Sequence, residues 1–398
     1  MLAAHILPDL PRLEPIAVSL PTSSQVREAL KQVQDPDLHQ DIVSLGFVTR
    51  CEVAGSEADV VINLTTPACP VKDELKAQAE AVILAVEGIE SCKVEMTAVV
   101  RNEAAATRKL AANIQHILAV SSGKGGVGKS TATVNLACAL AKTGARVGIL
   151  DCDVYGPDIP MMMGLTGQPD QEGQKLIPKE RHGVKTMSIG YLLEDDKPVM
   201  WRGPMIHKLI EQFLGDVEWG DLDYLLVDMP PGTGDAQISL AQIVPLSGAV
   251  LVTTPQAVST YDVAKAISMF AQVNVEVLGI IENMSGYTVE GTVQGTNGGK
   301  LTLDLGNRTE ELEIGPDGHF STVVNIFGSG GAARLAEKYN FPHLGSIPLN
   351  PTLRAAGDGG DPVVAAQPES KLAACFTEVA GRLAQRLAIR QFALPILQ

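Results

Sequence analysis

Ile117-Leu-Ala-Val-Ser-Ser-Gly-Lys-Gly-Gly-Val-Gly-Lys-Ser-Thr131 carries an apolar run into a glycine-rich loop and out again into an alternating apolar pattern. Gly123, Gly128, Lys129 and Ser130 stand at the spacing G-x-x-x-x-G-K-[ST]. In that arrangement backbone N–H groups wrap phosphates, the lysine reaches the β and γ oxygens, and the hydroxyl holds Mg²⁺. The helix that opens at the end of the loop turns its positive end toward the same anion. Lys124 is not required by the plain motif and marks a subclass.

Downstream of His116, strand and helix patterns alternate, which predicts an α/β fold with a doubly wound, mostly parallel sheet. A strand over 117–120 feeds the loop, and a helix runs from about Lys129 to Lys142 and stops at Gly144. The next strand, Arg146 to Leu150, ends in Asp151-Cys-Asp-Val-Tyr-Gly-Pro-Asp158. Carboxylates at the C-terminal tip of a strand in such a sheet face the ligand crevice. Asp151 and Asp153 are therefore candidates to orient an attacking water or to bind Mg²⁺ through water; the competing reading is that they cap a turn. Cys152 between them points the other way.

Tyr224-Leu-Leu-Val227 reads as a buried strand that ends in Asp228-Met-Pro-Pro-Gly-Thr-Gly-Asp235. This puts Asp228 at a Walker B position for the Mg²⁺ shell, and the glycines after it let the loop change shape with the γ-phosphate, with Asp235 as a relay. Strands over 249–253 and 277–281 follow, the second running into Glu282-Asn-Met284. The Asn283 amide both donates and accepts, as an adenine edge demands. Between Ser285 and Asn325 the turn pairs Asn297-Gly298 and Asp317-Gly318 interrupt alternating Thr, Val and Leu positions, which predicts an inserted pair of hairpins. Over 371–390, Leu372, Phe376, Val379, Leu383 and Leu387 share one helical face. Such a basic amphipathic helix either packs on the sheet or lies on a membrane.

Upstream, residues 1–21 lack periodicity and predict a flexible arm, 22–100 a small α+β domain, 101–114 a polar linker, and 115–398 the phosphate-loop domain with its insertion at about 285–325. Thr22 and Gln25 have the form of a capping box. Two strand patterns, 47–53 and 58–64, suggest a hairpin, and Thr65-Thr-Pro-Ala-Cys-Pro70 leads into a helix through Ala85. Proline favours the first helical position, which puts Cys69 at or near a helix N-terminus. Two readings of that thiol stand: a nucleophile or metal ligand, or a small buried hydrophobe. Asp35, Asp37 and Asp41 are explained by capping and turns.

Composition narrows the function classes. The chain has 398 residues, 45% of them hydrophobic, enough for a large core beside a smaller one. Its formal charge of -15 repels nucleic acid and anionic bilayers. No run approaches the roughly 18 to 20 apolar residues of a membrane span, so no stable membrane insertion and a cytoplasmic location are expected. Six scattered cysteines without a C-x-x-C pair fit thiols in a reducing compartment.

Taken together, these residues resemble the Mrp/ApbC family of P-loop ATPases, iron-sulfur cluster carriers of the MinD/ParA class. Gly123-Lys-Gly-Gly-Val-Gly-Lys-Ser130 is similar to the deviant Walker A of that class, and the front domain to the PaaD/SufT-like domain often fused ahead of it. The resemblance implies ATP and Mg²⁺ as cofactors, with nucleotide contacts from Gly123, Lys124, Gly125, Gly126, Val127, Gly128, Lys129, Ser130, Thr131 and Asn283. Lys124 would reach the phosphates of a second subunit in a homodimer, Asp153 would activate water, and Ser130 and Asp228 would hold the metal. It further implies a 4Fe-4S cluster passed to apoprotein clients together with iron-sulfur assembly factors. Carriers of the family place C-x-x-C soon after the Asn-Met, whereas Ser285 to Asn325 contains no cysteine. Cys69 is the substitute ligand to test. Two alternatives remain: a nucleotide-switched scaffold without its own cluster, and a MinD/ParA-like positioning ATPase.

Overall fold

The protein is described by a computed structural model covering residues 21–100, 110–192, 203–295, 297–306 and 309–393. The arm expected over 1–21, Pro21 apart, and residues 101–109 of the expected linker lie outside the described residues. The chain forms two compact units, one of residues up to Leu64 together with Val71–Ala98, the other of Thr65–Pro70 and the chain from Val99 onward.

In the first unit Thr22 caps the helix Ser23–Ala29 through the reciprocal capping box with Gln25. Strands Val48–Ala54 and Glu57–Leu64 pair antiparallel across a turn in which Gly55 takes φ +65°, and Ser91–Ala98 joins parallel to the second of them. A parallel neighbour needs a crossover, supplied by the helix Lys72–Leu84, which packs on Ser91–Ala98. Ala58, Val60, Ile62 and Leu64 are buried on alternate positions, as are Leu75, Ala79 and Ile83 at helical spacing.

The helix expected to begin at Pro70 begins instead at Lys72, with Val71 as its cap. Cys69 therefore stands outside the helix end, and the N-terminal dipole expected to act on its thiol is two residues further along. The cause is local. Thr66 Oγ1 lies 3.0 Å from the Tyr224 hydroxyl in a buried hydrogen bond and accepts from the Ala68 N–H at 3.1 Å. These bonds hold Thr65–Pro70 to the second unit and delay the first helical turn.

The second unit is built on an eight-stranded sheet in the order Lys179–Arg181, Val184–Ser188, Val147–Asp151, Leu222–Asp228, Ile114–Ser122, Gly248–Thr253, Val277–Glu282, His343–Ser346. All pairings are parallel except that of Lys179–Arg181 at the edge. Both faces are covered, so the strands are apolar throughout and alternate residues feed two cores. Leu118, Val120, Tyr224 and Leu226 belong to one core, with the loop helix Lys129–Lys142 and the C-terminal helix Lys371–Ala393. Ile117, Ala119, Leu225 and Val227 belong to the other, with the helices Gly203–Gly215, Ala257–Gln272 and Gly331–Tyr339.

Leu372, Phe376, Val379, Leu383 and Leu387 are all buried in the first core. Arg386 Nη2 bonds Glu276 at 2.9 Å and Arg382 Nη1 donates to the Leu344 carbonyl at 3.1 Å. The C-terminal helix is thus a sheet-covering element, and among the described residues no helix is long and apolar enough to cross a membrane.

The insertion after Met284 is not two successive hairpins. Tyr287–Thr292 pairs with His319–Val324, and inside that pair Gly299–Asp304 pairs with Thr309–Ile314. It is one nested ribbon in two tiers. Asn297-Gly298 and Asp317-Gly318 stand at the junction between tiers, where two backbone lines turn together, rather than at hairpin tips.

Leu383 is fully buried where the C-terminal helix meets the loop helix. Leu383→Ala leaves a cavity there, and we expect the urea midpoint of the second unit to fall by the equivalent of about 2–5 kcal/mol, read by equilibrium denaturation.

Candidate functional site

The parallel register sets the tips of three neighbouring strands side by side, with Asp228 opposite Asp151 on one flank and Val120 on the other. The glycine-rich loop crosses this edge from Ser122 to the helix at Lys129. Gly126 and Gly128 have φ of +81° and +82°, a left-handed conformation that side chains with a Cβ rarely adopt. A Cβ on Gly123 would lie 2.4 Å from the Asp262 carbonyl carbon, so the loop can run against the helix Ala257–Gln272 only as glycine.

The turn of chain at Lys129 aims its ammonium inward, where it is almost fully buried. Lys129 Nζ lies 2.6 Å from Asp228 Oδ2, 3.5 Å from Asp153 Oδ2, and 3.3 Å from Ser130 Oγ. Ser130 Oγ donates to the same Asp228 oxygen at 2.7 Å, and Thr133 Oγ1 donates to Asp228 Oδ1 at 2.6 Å. Burial works to lower the Lys129 pKa, but the charges of Asp228, Asp153 and Asp151 outweigh it and hold the ammonium above its ordinary range. Burial raises the Asp153 carboxyl, an effect that Lys129 opposes. Asp153 also accepts from the Tyr155 and Gly156 N–H groups at 3.3 Å through Oδ1. The turn-capping and crevice-facing readings of this residue thus hold together, one on each oxygen.

Cys152 is buried and points into the second core, as strand alternation requires. Asn283 is nearly buried, and its Nδ2 donates to the Val127 carbonyl at 2.8 Å. The amide donor expected to read a base edge is therefore engaged by the loop. A Cβ on Gly128 would come within 2.2 Å of that same Nδ2, so Gly128 is demanded twice, by its φ and by Asn283. Lys124 is half-buried, and its carbonyl accepts from Ser122 Oγ at 2.9 Å.

Three residues of the site escape the motif reading. Thr133 sits four positions after Lys129, on the same helix face, which is the signal that could have found it. Ser188 donates to Asp151 Oδ2 at 2.8 Å from the end of a neighbouring strand. Gln237 is 1% exposed and donates through Nε2 to the Pro230 carbonyl and to Ser121 Oγ, leaving Oε1 without a partner. Ser188 and Gln237 reach the site by tertiary contact and have no local signature.

Cys69 does not join this group. It is half-buried, and with Pro67, Pro70, Thr143, Glu378 and Gly381 it lines a cleft of about 590 Å³. No disulfide joins the six cysteines. Among the described residues no three His, Cys, Asp or Glu side chains are placed to hold a metal ion.

The fully buried Asp151 carboxyl is held well above the ordinary carboxylate range, first by burial and then by the Asp228 charge, against the Ser188 hydrogen bond. A carboxyl whose pKa rises on folding binds a proton in the folded state, so its contribution to stability is lost as pH rises from the unfolded value of about 4. Asp151→Asn removes the charge and keeps an acceptor for the Asp153 N–H. We expect its denaturation midpoint to match the wild type near pH 4 and to exceed it increasingly toward pH 8, by on the order of 1 kcal/mol. A lower midpoint than wild type at pH 8 would contradict this electrostatic account.

Comparison with known proteins agrees with this geometry. The sequence model of the NUBPL iron-transfer P-loop NTPase family matches residues 113–298 and 310–384, and that of an iron-sulfur cluster assembly protein family matches 23–96. Iron-sulfur cluster carrier proteins of Synechocystis and of Deinococcus radiodurans are 42% and 44% identical over 374 and 377 residues, covering 92% and 93% of this chain and 98% of each relative. The carrier protein of Escherichia coli K12 is 40% identical, covering 92% of both chains. Among solved structures, a nucleotide-binding protein of Archaeoglobus fulgidus in complex with ADP is 38% identical, with a TM-score of 0.50 over 65% of this chain and 91% of that one. The resemblance read from the loop and the two aspartate segments is borne out. With the loop, both strand-end carboxylates and Asn283 all inside the matched residues, the chain belongs to the NUBPL iron-transfer P-loop NTPase family.

Proposed function

We propose that the protein is a Mg²⁺-dependent, homodimeric ATPase that binds an iron-sulfur cluster and passes it to apoproteins. The observation that carries the first half is the convergence of Lys129, Ser130 and Thr133 on Asp228 beneath the glycine loop. The donor set fits Mg²⁺: a hydroxyl and a carboxylate, both hard oxygen ligands, meet at 2.7 Å, and the carboxylate already faces a cation in the Lys129 ammonium. When bound, the metal neutralises charge on the β- and γ-phosphoryl oxygens.

The chain's own residues do the rest. Backbone N–H groups of Gly125 to Thr131 wrap the phosphates, and Lys129 exchanges Asp228 for a phosphoryl oxygen. Asp153, whose Oδ2 already faces Lys129, accepts a hydrogen bond from the attacking water and sets it in line. Thr133 keeps Asp228 oriented once Lys129 has moved. Lys124 serves the phosphates of the second subunit. Asn283 holds the loop through Nδ2, which leaves Oδ1 as the atom to accept from an adenine amino group. Such a site works by position and charge more than by covalent chemistry.

The cluster is cargo. Iron-sulfur carriage rests on the family membership and on relatives that bear the carrier name. In a symmetric dimer Cys69 is present twice, and we propose it as a ligand in place of the C-x-x-C that Ser285 to Asn325 lacks. The cysteine-free insertion favours one second reading, a nucleotide-switched scaffold without its own cluster. The six unbridged cysteines support a reducing, cytoplasmic setting.

Lys129→Ala is expected to lower ATP turnover by at least about a hundredfold in a phosphate-release assay, and unchanged hydrolysis would falsify the assignment. Anaerobic reconstitution with iron and sulfide, followed by absorbance and iron content, tests the cargo. The carrier reading expects iron and sulfide on the wild type and their loss in Cys69→Ser; a wild type that takes up no iron favours the scaffold.

A further inference from the structure

Two residues past Asn283 the backbone leaves the parallel sheet, and the nucleotide machinery makes no use of the ribbon that follows. Its base is fixed: the Ser285 N–H donates to the Ile347 carbonyl at 2.9 Å and the Leu349 N–H to the Gly286 carbonyl at 2.8 Å. Beyond that base each strand pairs with one neighbour only, in two two-stranded sheets. Every strand therefore carries an outer edge whose backbone N–H and C=O groups form no ladder among the described residues. Edges of this kind accept a further strand unless they are blunted by proline, by charged side chains or by a bulge. The four strands contain no proline and their registers show no shift, and the charges along them are acidic apart from Lys300, which is engaged with Glu311 at 2.9 Å, so the edges are blunted against an acidic strand and open to a basic one.

Half-buried and exposed positions differ in chemistry. Val289, Leu301, Leu303, Leu312, Ile314 and Phe320 take half-buried positions, with Glu310 among them, while Glu290, Asp304, Glu311 and Glu313 are exposed, as is Val323. Residues 287–324 hold six acidic side chains against two basic ones. The match to the family's sequence model breaks off at 298 and resumes at 310, so the outer part of the inner tier lies outside what the match covers.

We propose that this ribbon is a docking arm for a basic, extended polypeptide segment, which adds as a strand along an open edge. Its Lys or Arg side chains would meet Glu290, Asp304, Glu311 and Glu313, and its alternate apolar residues would continue the Val, Leu and Ile rows. Charge selects this occupant. A second copy of the chain would bring carboxylates opposite carboxylates, which destabilises a strand pair, and a nucleic acid or an anionic bilayer meets the same repulsion. The inference goes beyond ATP hydrolysis and cluster carriage and does not rest on either.

The test uses the full chain and two fluorescein-labelled dodecapeptides, one alternating Lys and Val, the other alternating Glu and Val, followed by fluorescence anisotropy. We expect binding of the Lys-Val peptide, at least about tenfold weaker binding of the Glu-Val peptide, and a similar loss for the Lys-Val peptide in the double variant Glu311→Lys, Glu313→Lys. A control of equal charge change elsewhere, Asp170→Lys with Glu172→Lys, should retain wild-type affinity. Amide hydrogen exchange of the wild type should slow along the ribbon strands when the Lys-Val peptide is present. Equal loss in both double variants would reduce the effect to net charge and overturn the proposal. Equal affinity for the two peptides, or protection that falls outside 287–324, would overturn it as well.

Discussion

One buried ammonium among carboxylates sets the terms for the rest of the second unit. Lys129 stands in nearly dry surroundings only because the carboxylates beside it, Asp228 first and then Asp153, outweigh the cost of burying it. Those two share one sheet edge because the ammonium is there, while Asp151 next to them is held toward its protonated form. Neither side of the arrangement is tolerable alone, and the parallel register that aligns Asp151 with Asp228 fixes how close they come. The sheet thereby becomes more than a scaffold. A slip of one residue in either pairing would turn one of the aspartates into the apolar core.

The glycine loop follows from the same constraint. Lys129 opens a helix that follows the strand Ile114–Ser122 after a short loop, whose first residue, Gly123, runs against Asp262. Bringing the chain from strand to helix within a few residues needs left-handed turns at Gly126 and Gly128 and close contact at Gly123. Asn283 then braces the loop from a different strand. The loop is in this way tied to the end of Val277–Glu282, where Glu282 also caps the helix Gly331–Tyr339 through the Gly330 and Ala332 N–H groups.

Much of this was legible from residue order, for a physical reason. A phosphate loop is a local object, since strand, loop and helix are contiguous, and the loop helix begins and ends where the pattern put it, at Lys129 and Lys142. The strand-end aspartates were legible because their neighbours are four or five consecutive apolar residues that only a doubly covered strand explains. What failed was non-local. Pro70 predicts an earlier start for Lys72–Leu84 than the structure has, because Thr66 just ahead of it bonds Tyr224, more than 150 residues away in sequence. Asn-Gly and Asp-Gly are strong local turn signals and predict two hairpins, but nothing in the order of residues says which strand finds which partner. Ser188 and Gln237 share that difficulty. Polar residues without a motif become visible only when the fold has placed them.

The nesting of the ribbon has a consequence for how such a chain can be altered. Thr292 is paired with His319, so the backbone enters and leaves the inner tier at a single doorway one strand spacing wide. Whatever lies between those two residues can lengthen or shorten at the modest entropic expense of closing a loop, without disturbing the sheet that carries the phosphate site. That makes 293–318 a natural point for genetic insertion and loss, and a place where a different recognition segment could be grafted onto an otherwise unchanged engine.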